Sequence, residues 1–322
     1  MLSEFDLIKQ YFKRDRPGRA TLGIGDDCAL LTPAAGAELA ISTDMLVENR
    51  HFFAGADPRC LGHKALAVNL SDLAAMGAAP VAFTLALAMP KADPAWLAGF
   101  SQGLFEMADL YGCELIGGDT TRGPLNICIT VFGELAPGQA LRRSGAVVGD
   151  DIYVSGTLGD ARLTLAGLRD EFPIDHASLA LAGPRMHLPD PRVALGRALA
   201  TGQLAHAALD ISDGFVGDLG HILAASRVGA RVNVDALPAG PALAAQELAV
   251  RRQFCAQGGD DYELCFTAAP DRREAIAAAA AACGTPVVRV GIIEAAAGLR
   301  LIGGTGAAID LEAAGFDHFS VP

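Results

Sequence analysis

Lysine is scarce in this chain of 322 residues. Lysine and arginine together number 25, and only Lys9, Lys13, Lys64 and Lys91 are lysines. None of the four follows a glycine-rich GxxxxGK pattern, the loop that cradles nucleotide phosphates in P-loop proteins. The sequence therefore excludes a Walker lysine, and any bound ATP must have its phosphates held by other groups.

Closely spaced cysteine pairs are also missing. No two of the seven cysteines form a CxxC pair, and no cysteine and histidine set has the spacing of a zinc site. An odd number of scattered thiols predicts reduced, mostly buried cysteines that pack as small apolar residues. They are Cys28, Cys60, Cys113, Cys128, Cys255, Cys265 and Cys283.

Long hydrophobic runs are absent as well. A membrane span requires about 18–20 apolar residues, and the longest candidate, 78–89, is interrupted by Pro80 and Thr84. The first residues, MLSEFDLIKQYF, carry acids where a signal peptide has bases, and they lack an apolar core. They predict an amphipathic helix in a cytoplasmic protein.

Acidic residues exceed basic ones, and the formal net charge is 25 − 37 = −12. This excess argues against nonspecific nucleic-acid binding, which needs a basic surface, and against an anionic membrane partner. It does not exclude a small molecule that bears phosphate, because carboxylates hold phosphate through a divalent metal.

Strand and helix signals alternate along the chain, which predicts an α/β or α+β protein. Alternating apolar residues predict a strand over 81–89, and Asp-Pro pairs predict helix starts at Asp57, Asp93 and Asp190. A Pro-Gly turn followed by two arginines predicts a domain boundary within 137–149.

Aspartates repeatedly follow apolar strands in turns of small residues. A lone Asp beside Gly is usually only a turn residue or a helix cap, but five such turns favour a shared Mg²⁺ site, because Mg²⁺ prefers oxygen ligands. Two metals with bridging carboxylates could clamp a nucleoside triphosphate. Asp210 and Asp213 are three residues apart, so a helical turn would put them on one face. The turns are GIGDD (Asp26, Asp27), ISTDM (Asp44), NLSDLAAMG (Asp72), LIGGDTT (Asp119) and ALDISDG (Asp210, Asp213).

These motifs, with STDMLVE, LIGGDTTRGP and GGDDYEL, occur in one order along nearly the whole chain. Together they resemble the thiamine-monophosphate kinase family, which belongs to the ATP-binding superfamily of aminoimidazole-ribonucleotide synthetase.

The resemblance implies a two-domain PurM-like fold. Residues 1–137 would form an N-terminal α/β domain that binds ATP and Mg²⁺ and forms a homodimer through its sheet. Residues 149–322 would form a C-terminal α+β domain that completes the active site. ATP would lie between the domains with several Mg²⁺ ions. Its γ-phosphoryl group would pass in line to thiamine monophosphate, giving thiamine diphosphate in the last step of that cofactor's biosynthesis.

The resemblance also implies roles for individual residues. No general base is needed, because the attacking phosphate oxygen is already ionised at neutral pH. The family commonly has Glu at the position of Asp260, and Phe316 stands where some relatives carry a larger aromatic residue. Tyr262 and Glu263 read as strand residues. The implied Mg²⁺ ligands are Asp27, Ser42, Thr43, Asp44, Asp72, Asp119, Asp210 and Asp213; the ATP contacts are Gly118, Asp119, Arg143 and Ser212; the substrate contacts are His51, Asp260 and Phe316.

Other functions stay open at this point. Within the superfamily, aminoimidazole-ribonucleotide synthetase, selenophosphate synthetase and the hydrogenase-maturation dehydratases are alternatives, and the chain lacks the reactive Cys-bearing termini of the last two. A two-metal phosphohydrolase could use the same carboxylates. A divalent-ion or nucleotide sensor would bind the same ligands without turnover.

Overall fold

The computed structural model describes residues 3–14 and 18–311, which divide into two compact units. Unit 1 lies within Met1–Leu73 and Ala78–Gly138, and unit 2 within Ala74–Gly77 and Gln139–Pro322. Phe316 falls outside the described residues. Across the part of the chain that the structure describes, no helix combines the length and the apolar character that crossing a bilayer requires.

Unit 1 is built on a four-stranded sheet with strand order β3-β6-β4-β5, in which only β4 and β5 run parallel. A short antiparallel hairpin, β1-β2, precedes it. The predicted alternation over 81–89 is confirmed, because Val81, Phe83, Leu85, Leu87 and Met89 are buried. The elements are α1 (Glu4–Leu7, continued by a π-helical turn Ile8–Phe12), β1 (Ala20–Leu22), β2 (Leu30–Leu31), β3 (Glu38–Val47), α2 (Pro58–Met76), β4 (Ala79–Met89), α3 (Pro94–Tyr111), β5 (Glu114–Arg122) and β6 (Asn126–Leu135).

Helices α2 and α3 approach closely at two glycines. A Cβ atom on Gly62 would lie 2.1 Å from the Phe100 carbonyl oxygen, and one on Gly103 would lie 1.9 Å from that of Arg59. Both distances are shorter than the van der Waals contact of a carbon with an oxygen. The two helices can therefore pack this closely only because residues 62 and 103 are glycines. Asp93 caps α3 as predicted, accepting hydrogen bonds from the Ala95 and Trp96 amides.

Unit 2 is an α+β arrangement around a six-stranded sheet with strand order β12-β9-β11-β7-β10-β8. Every pair is antiparallel except β12 with β9. Every residue of strands β7, β8 and β10 is buried. The elements are β7 (Asp151–Ser155), α4 (Asp160–Leu168), α5 (His176–His187), α6 (Val193–Thr201), β8 (Ala207–Ile211), α7 (Phe215–Ser226), β9 (Gly229–Asn233), α8 (Leu248–Gln257), β10 (Glu263–Ala268), α9 (Arg273–Ala282), β11 (Val287–Glu294) and β12 (Gly298–Ile302).

The helix predicted to open at Asp190 is displaced. It begins at Val193, and Arg192 stands before it without a side-chain cap. The Arg192 side chain instead turns back to a buried carboxylate, Glu263. Helices α5 and α8 have no counterpart in the sequence prediction, because Pro184 interrupts the pattern of one and charged residues dilute that of the other.

Gly103→Ala tests the close helix packing. We expect it to lower the free energy of unfolding by about 1–3 kcal/mol, because the new methyl group forces backbone shifts in a packed core. Denaturant unfolding measures the change. Gly220→Ala is the matched control, because Gly220 is also helical but a Cβ there meets nothing within 4 Å. It should be neutral or stabilising by up to about 1 kcal/mol, and equal effects of the two changes would contradict the account.

Candidate functional site

Three of the predicted residues of unit 1 lie on the buried side of the sheet, next to helix α2. Ser42 Oγ donates a hydrogen bond to Asp72 Oδ2. The Asp44 amide donates to Asn69 Oδ1 at 3.0 Å, and Asn69 Nδ2 donates to the Ala65 carbonyl at 2.9 Å. Ser42 and Asp44 share a strand face, while Asn69 and Asp72 share a helix face. Helix α2 therefore fixes the strand that carries Ser42 and Asp44.

Asn69 was not among the predicted residues, although it positions one of them. It is 1% exposed and lies between apolar residues of an otherwise buried helix. A buried amide needs partners for its polar atoms, so an isolated Asn in the apolar run ALAVNL was the signal that could have identified it.

Two other predicted residues lie on the opposite face of the same sheet. Thr43 pairs with Thr130, their hydroxyl oxygens are 2.8 Å apart, and Thr130 pairs in turn with Thr84. Two residues beyond Thr84 on the same face, Ala86 pairs with Asp119. Thr43 and Asp119 therefore share a face from which Ser42 and Asp44 point away.

The structure does not bring Asp44 and Asp119 of one chain together. Asp44 is on β3 and Asp119 on β5, the two edge strands of the sheet. Three strand spacings of roughly 4.8 Å separate these edges, which is about 14 Å. Because Mg²⁺ binds oxygen at about 2.0–2.1 Å, one ion does not reach both carboxylates within a protomer.

The backbone at position 118 accommodates only glycine. Its φ is +145°, and a Cβ atom there would lie 1.8 Å from the Leu85 carbonyl oxygen. The strand consequently passes close to its neighbour just before Asp119, whose side chain is exposed. The backbone around the predicted ATP contact is thus set by a glycine that no other residue replaces.

Asp27 and His51 sit in turns of unit 1. Asp27 is exposed, and its amide donates to Asp26 Oδ1 at 2.9 Å. The Val47 amide donates to His51 Nδ1 at 2.9 Å. A neutral imidazole whose Nδ1 accepts carries its proton on Nε2, so this backbone contact fixes the His51 tautomer.

In unit 2, Asp210 belongs to strand β8 and is 8% exposed, whereas Asp213 is exposed in the loop that follows. The helical turn expected to align them is wrong. Gly214 adopts φ +118°, and helix α7 begins only at Phe215. The two carboxylates are therefore presented by a strand end and a loop.

Asp218, in the first turn of α7, holds that loop. Its Oδ2 accepts hydrogen bonds from the amides of Ser212, Asp213 and Gly214, each at 3.1 Å. Burial raises the pKa of Asp218 to about 6, although the amide hydrogen bonds act in the opposite direction. Sequence reasoning missed this residue, which lies five positions after Asp213.

Asp260 lies beside the same loop. Its amide donates to the Ser212 carbonyl at 2.8 Å, and the Tyr262 amide donates to the Ile211 carbonyl at 2.8 Å. Tyr262 Oη also donates to Asp260 Oδ1 at 3.1 Å. The structure thus places the predicted substrate contact, Asp260, next to the predicted ATP contact, Ser212.

Arg143 is exposed in a loop at the start of β8. The Ala208 amide donates to the Arg142 carbonyl at 2.9 Å, and Ser226 Oγ donates to the Arg143 carbonyl at 3.2 Å. The backbone of Arg142 and Arg143 is therefore held beside the start of β8 and the end of helix α7.

Within residues 3–14 and 18–311, no three His, Cys, Asp or Glu side chains converge as a metal cage would require. The oxygen donors still fit Mg²⁺, which is usually held by one or two carboxylates together with substrate phosphates. The close Ser42 and Asp72 pair and the exposed Asp27, Asp119 and Asp213 carboxylates are donors of that kind.

Comparisons with known proteins agree with the two-unit architecture. The family "AIR synthase related protein, N-terminal domain" matches residues 25–135, and its C-terminal counterpart matches residues 147–304. The thiamine-monophosphate kinase of Escherichia coli strain K12 is 47% identical over 326 residues, which cover 99% of each chain.

Solved structures give the same result. The thiamine-monophosphate kinase of Stenotrophomonas maltophilia K279a superposes with a TM-score of 0.85 at 44% identity, covering 94% of this chain and 97% of that one. AaThiL complexed with AMPPCP and TMP superposes with a TM-score of 0.78 at 27% identity, covering 89% of each chain.

Fold and sequence thus define an AIR synthase-related protein with both of the domains of that class. Identity over nearly the full length then narrows the class: the chain belongs to the thiamine-monophosphate kinase family.

Proposed function

We propose that this protein transfers the γ-phosphoryl group of ATP to thiamine monophosphate, giving thiamine diphosphate and ADP. The observation that carries the proposal is identity of 46–47% over 99% of the chain to thiamine-monophosphate kinases. The AaThiL structure, complexed with AMPPCP and TMP, supports the same pair of substrates.

The chemistry is an in-line displacement at the γ-phosphorus. A phosphate oxygen of thiamine monophosphate attacks, a new P–O bond forms, and the bond to the β-phosphate oxygen breaks so that ADP leaves with that electron pair. The attacking oxygen is already ionised at neutral pH, so positioning and charge neutralisation carry the rate.

The protein's own residues supply the positioning. Asp27, Ser42, Thr43, Asp44, Asp72, Asp119, Asp210 and Asp213 would hold Mg²⁺, which neutralises the charge of the polyphosphate when bound. Arg143 would contact a phosphate through its planar guanidinium group, and Gly118 and Ser212 would contact ATP through close backbone approach. His51, Asp260 and Phe316 would contact thiamine monophosphate.

The assay that separates the alternatives uses ATP, Mg²⁺ and thiamine monophosphate. We expect ADP and thiamine diphosphate in equal amounts. ATP loss without the acceptor would favour a phosphohydrolase, and ATP binding without turnover would favour a sensor. A cytoplasmic location, and the lack of nucleic-acid or membrane partners, stay predictions of the sequence.

Asp72→Asn and Asp210→Asn test the metal-ligand assignment in the two units separately. Each should lower turnover by at least about 100-fold, because a neutral amide no longer neutralises the cation and its phosphates, while circular dichroism and melting temperature stay near wild type. Asp271→Asn is the control, since Asp271 is exposed in a short 3₁₀ turn. Near-wild-type turnover in both test variants would overturn the assignment.

We also propose that the active form is a homodimer whose partner completes the site. Leu39, Ile41 and Met45 are 43%, 58% and 52% exposed on the outer face of β3, and a row of apolar side chains on one face favours an interface. Thr43 and Asp119 face the same way from opposite edges of the sheet. A second copy against this face would bring Asp119 of the partner subunit toward Thr43.

Subunit mixing tests this arrangement. Thr43→Val and Asp119→Asn should each lose most of the activity alone. Unfolded together and refolded, they should regain about a quarter of wild-type activity, because half of the dimers are mixed and one of the two sites in each is intact. Absence of recovery, with mixed dimers demonstrated by differently tagged chains, would mean that the two groups do not meet across the interface.

A further inference from the structure

The turn that carries Asp260 has an unfavourable backbone conformation. Asp260 has φ +67° and Tyr262 has φ +51°, although neither is glycine. Residues with side chains adopt such angles only where the surroundings hold them, and these conformations concentrate at functional sites. The structure must therefore contain groups that hold residues 260–262 in place.

The strongest of these groups is a buried ionic cluster immediately after the turn. Glu263 is 0% exposed and accepts hydrogen bonds from two arginines. Arg192 donates through Nε at 2.7 Å and Nη2 at 2.6 Å, and Arg185 donates through Nη2 at 2.7 Å. Ser155 Oγ donates to the same carboxylate at 2.6 Å.

The cluster is connected directly to the turn. Arg185 Nη2, which binds Glu263, also donates to the carbonyl oxygen of Asp261 at 2.8 Å. The Gly159 amide also donates to both carboxyl oxygens of Asp261, at 2.9 and 3.1 Å. The middle residue of the strained turn is thus held through both its backbone and its side chain.

Stability alone is a weak reason for such a cluster. Removing charges from water is costly, and well-packed apolar residues of similar volume often serve a fold equally well. A carboxylate between two guanidinium groups does, however, fix the orientation of all three groups, which apolar packing leaves less defined. Here the cluster fixes the orientation of the backbone at residues 261–263, next to Asp260.

We infer that Glu263, together with Arg185 and Arg192, is a positioning group that aims Asp260 at the thiamine monophosphate acceptor. The inference rests on the proposed function, and it gives Glu263 a role that its place in a strand did not indicate. Glu263 does not touch the substrate; it acts through Asp260.

Steady-state kinetics of Glu263→Gln test the inference. The KM for thiamine monophosphate should rise at least about tenfold, since small displacements of a binding group are costly, while the KM for ATP stays within about twofold. In an Asp260→Ala background, Glu263→Gln should change the KM for thiamine monophosphate little further, because the side chain through which Glu263 acts is already absent. An equal effect in both backgrounds, or no change in KM, would overturn the inference.

Two further variants keep the test decisive. Arg192→Lys retains the charge but loses the two parallel hydrogen bonds to Glu263. It should also raise the KM for thiamine monophosphate and leave the KM for ATP unchanged, and it replaces Glu263→Gln in the test if that variant does not fold. Asp235→Asn removes another carboxylate that is paired with an arginine, Arg252, at 2.7 and 2.8 Å. It should lower the melting temperature without changing either KM. A KM change in this control equal to that of Glu263→Gln would count against a specific role.

Hydrogen exchange separates this inference from the proposed function. Without substrates, the amides of Asp260 and Tyr262 should exchange at least about tenfold faster in Glu263→Gln, because their bonds to Ser212 and Ile211 open more often. Unchanged protection would overturn the inference even in an active enzyme. Wild-type protein that forms no thiamine diphosphate would instead overturn the proposed function.

Discussion

Repulsion between carboxylates is the main physical constraint on the site that we propose for ATP and Mg²⁺. A site for ATP and Mg²⁺ needs several negative groups near one another, but before the cations arrive these groups repel. In this structure the carboxylates lie on separate strands, helices and loops. Ser42 and Asp44 face one side of a sheet and Asp119 the other, and Asp210 ends a strand while Asp213 lies in the loop beyond it.

Three of the predicted acids stand on backbone that a polar group of a neighbouring element holds in place. Asn69 holds the backbone of Asp44, and Asp218 holds the loop of Asp213 through three amide hydrogen bonds. The cluster of Glu263, Arg185 and Arg192 does the same for the turn of Asp260. Few of these supporting groups are exposed, so desolvation strengthens their hydrogen bonds and makes their geometry rigid.

Part of this was predictable from the sequence, because the motifs single out the aspartates. The turns predicted for them are wrong at three positions, since Asp44 and Asp119 lie within strands and Asp72 lies within helix α2. The strand over 81–89 follows from alternation, and the starts of helices α2 and α3 follow from their Asp-Pro pairs, whereas the pair at Asp190 misplaced the start of α6. The sheet face of each residue does not. The position of Asp119 depends on a register shift between Phe83 and Thr84, which local sequence leaves open. The supporting residues were also missed. Asn69 carried a signal in its apolar surroundings, but a buried Glu263 differs from a solvated glutamate only through its partners.

The net charge of −12 is explained in part by the aspartates of the proposed site. It argued against nucleic-acid and membrane partners, and the structure places six of the acids on strands, on helix α2 and in loops of the two units. The central proposal is that the donors of unit 1 form a complete metal site only when the phosphates, the cations and a second copy are present. A crystal structure of the protein with Mg²⁺, AMPPCP and thiamine monophosphate tests this most directly. We expect a metal ion bound by Thr43 of one protomer and by the partner's Asp119, and a structure in which a single protomer supplies every protein ligand of that ion would contradict the proposal.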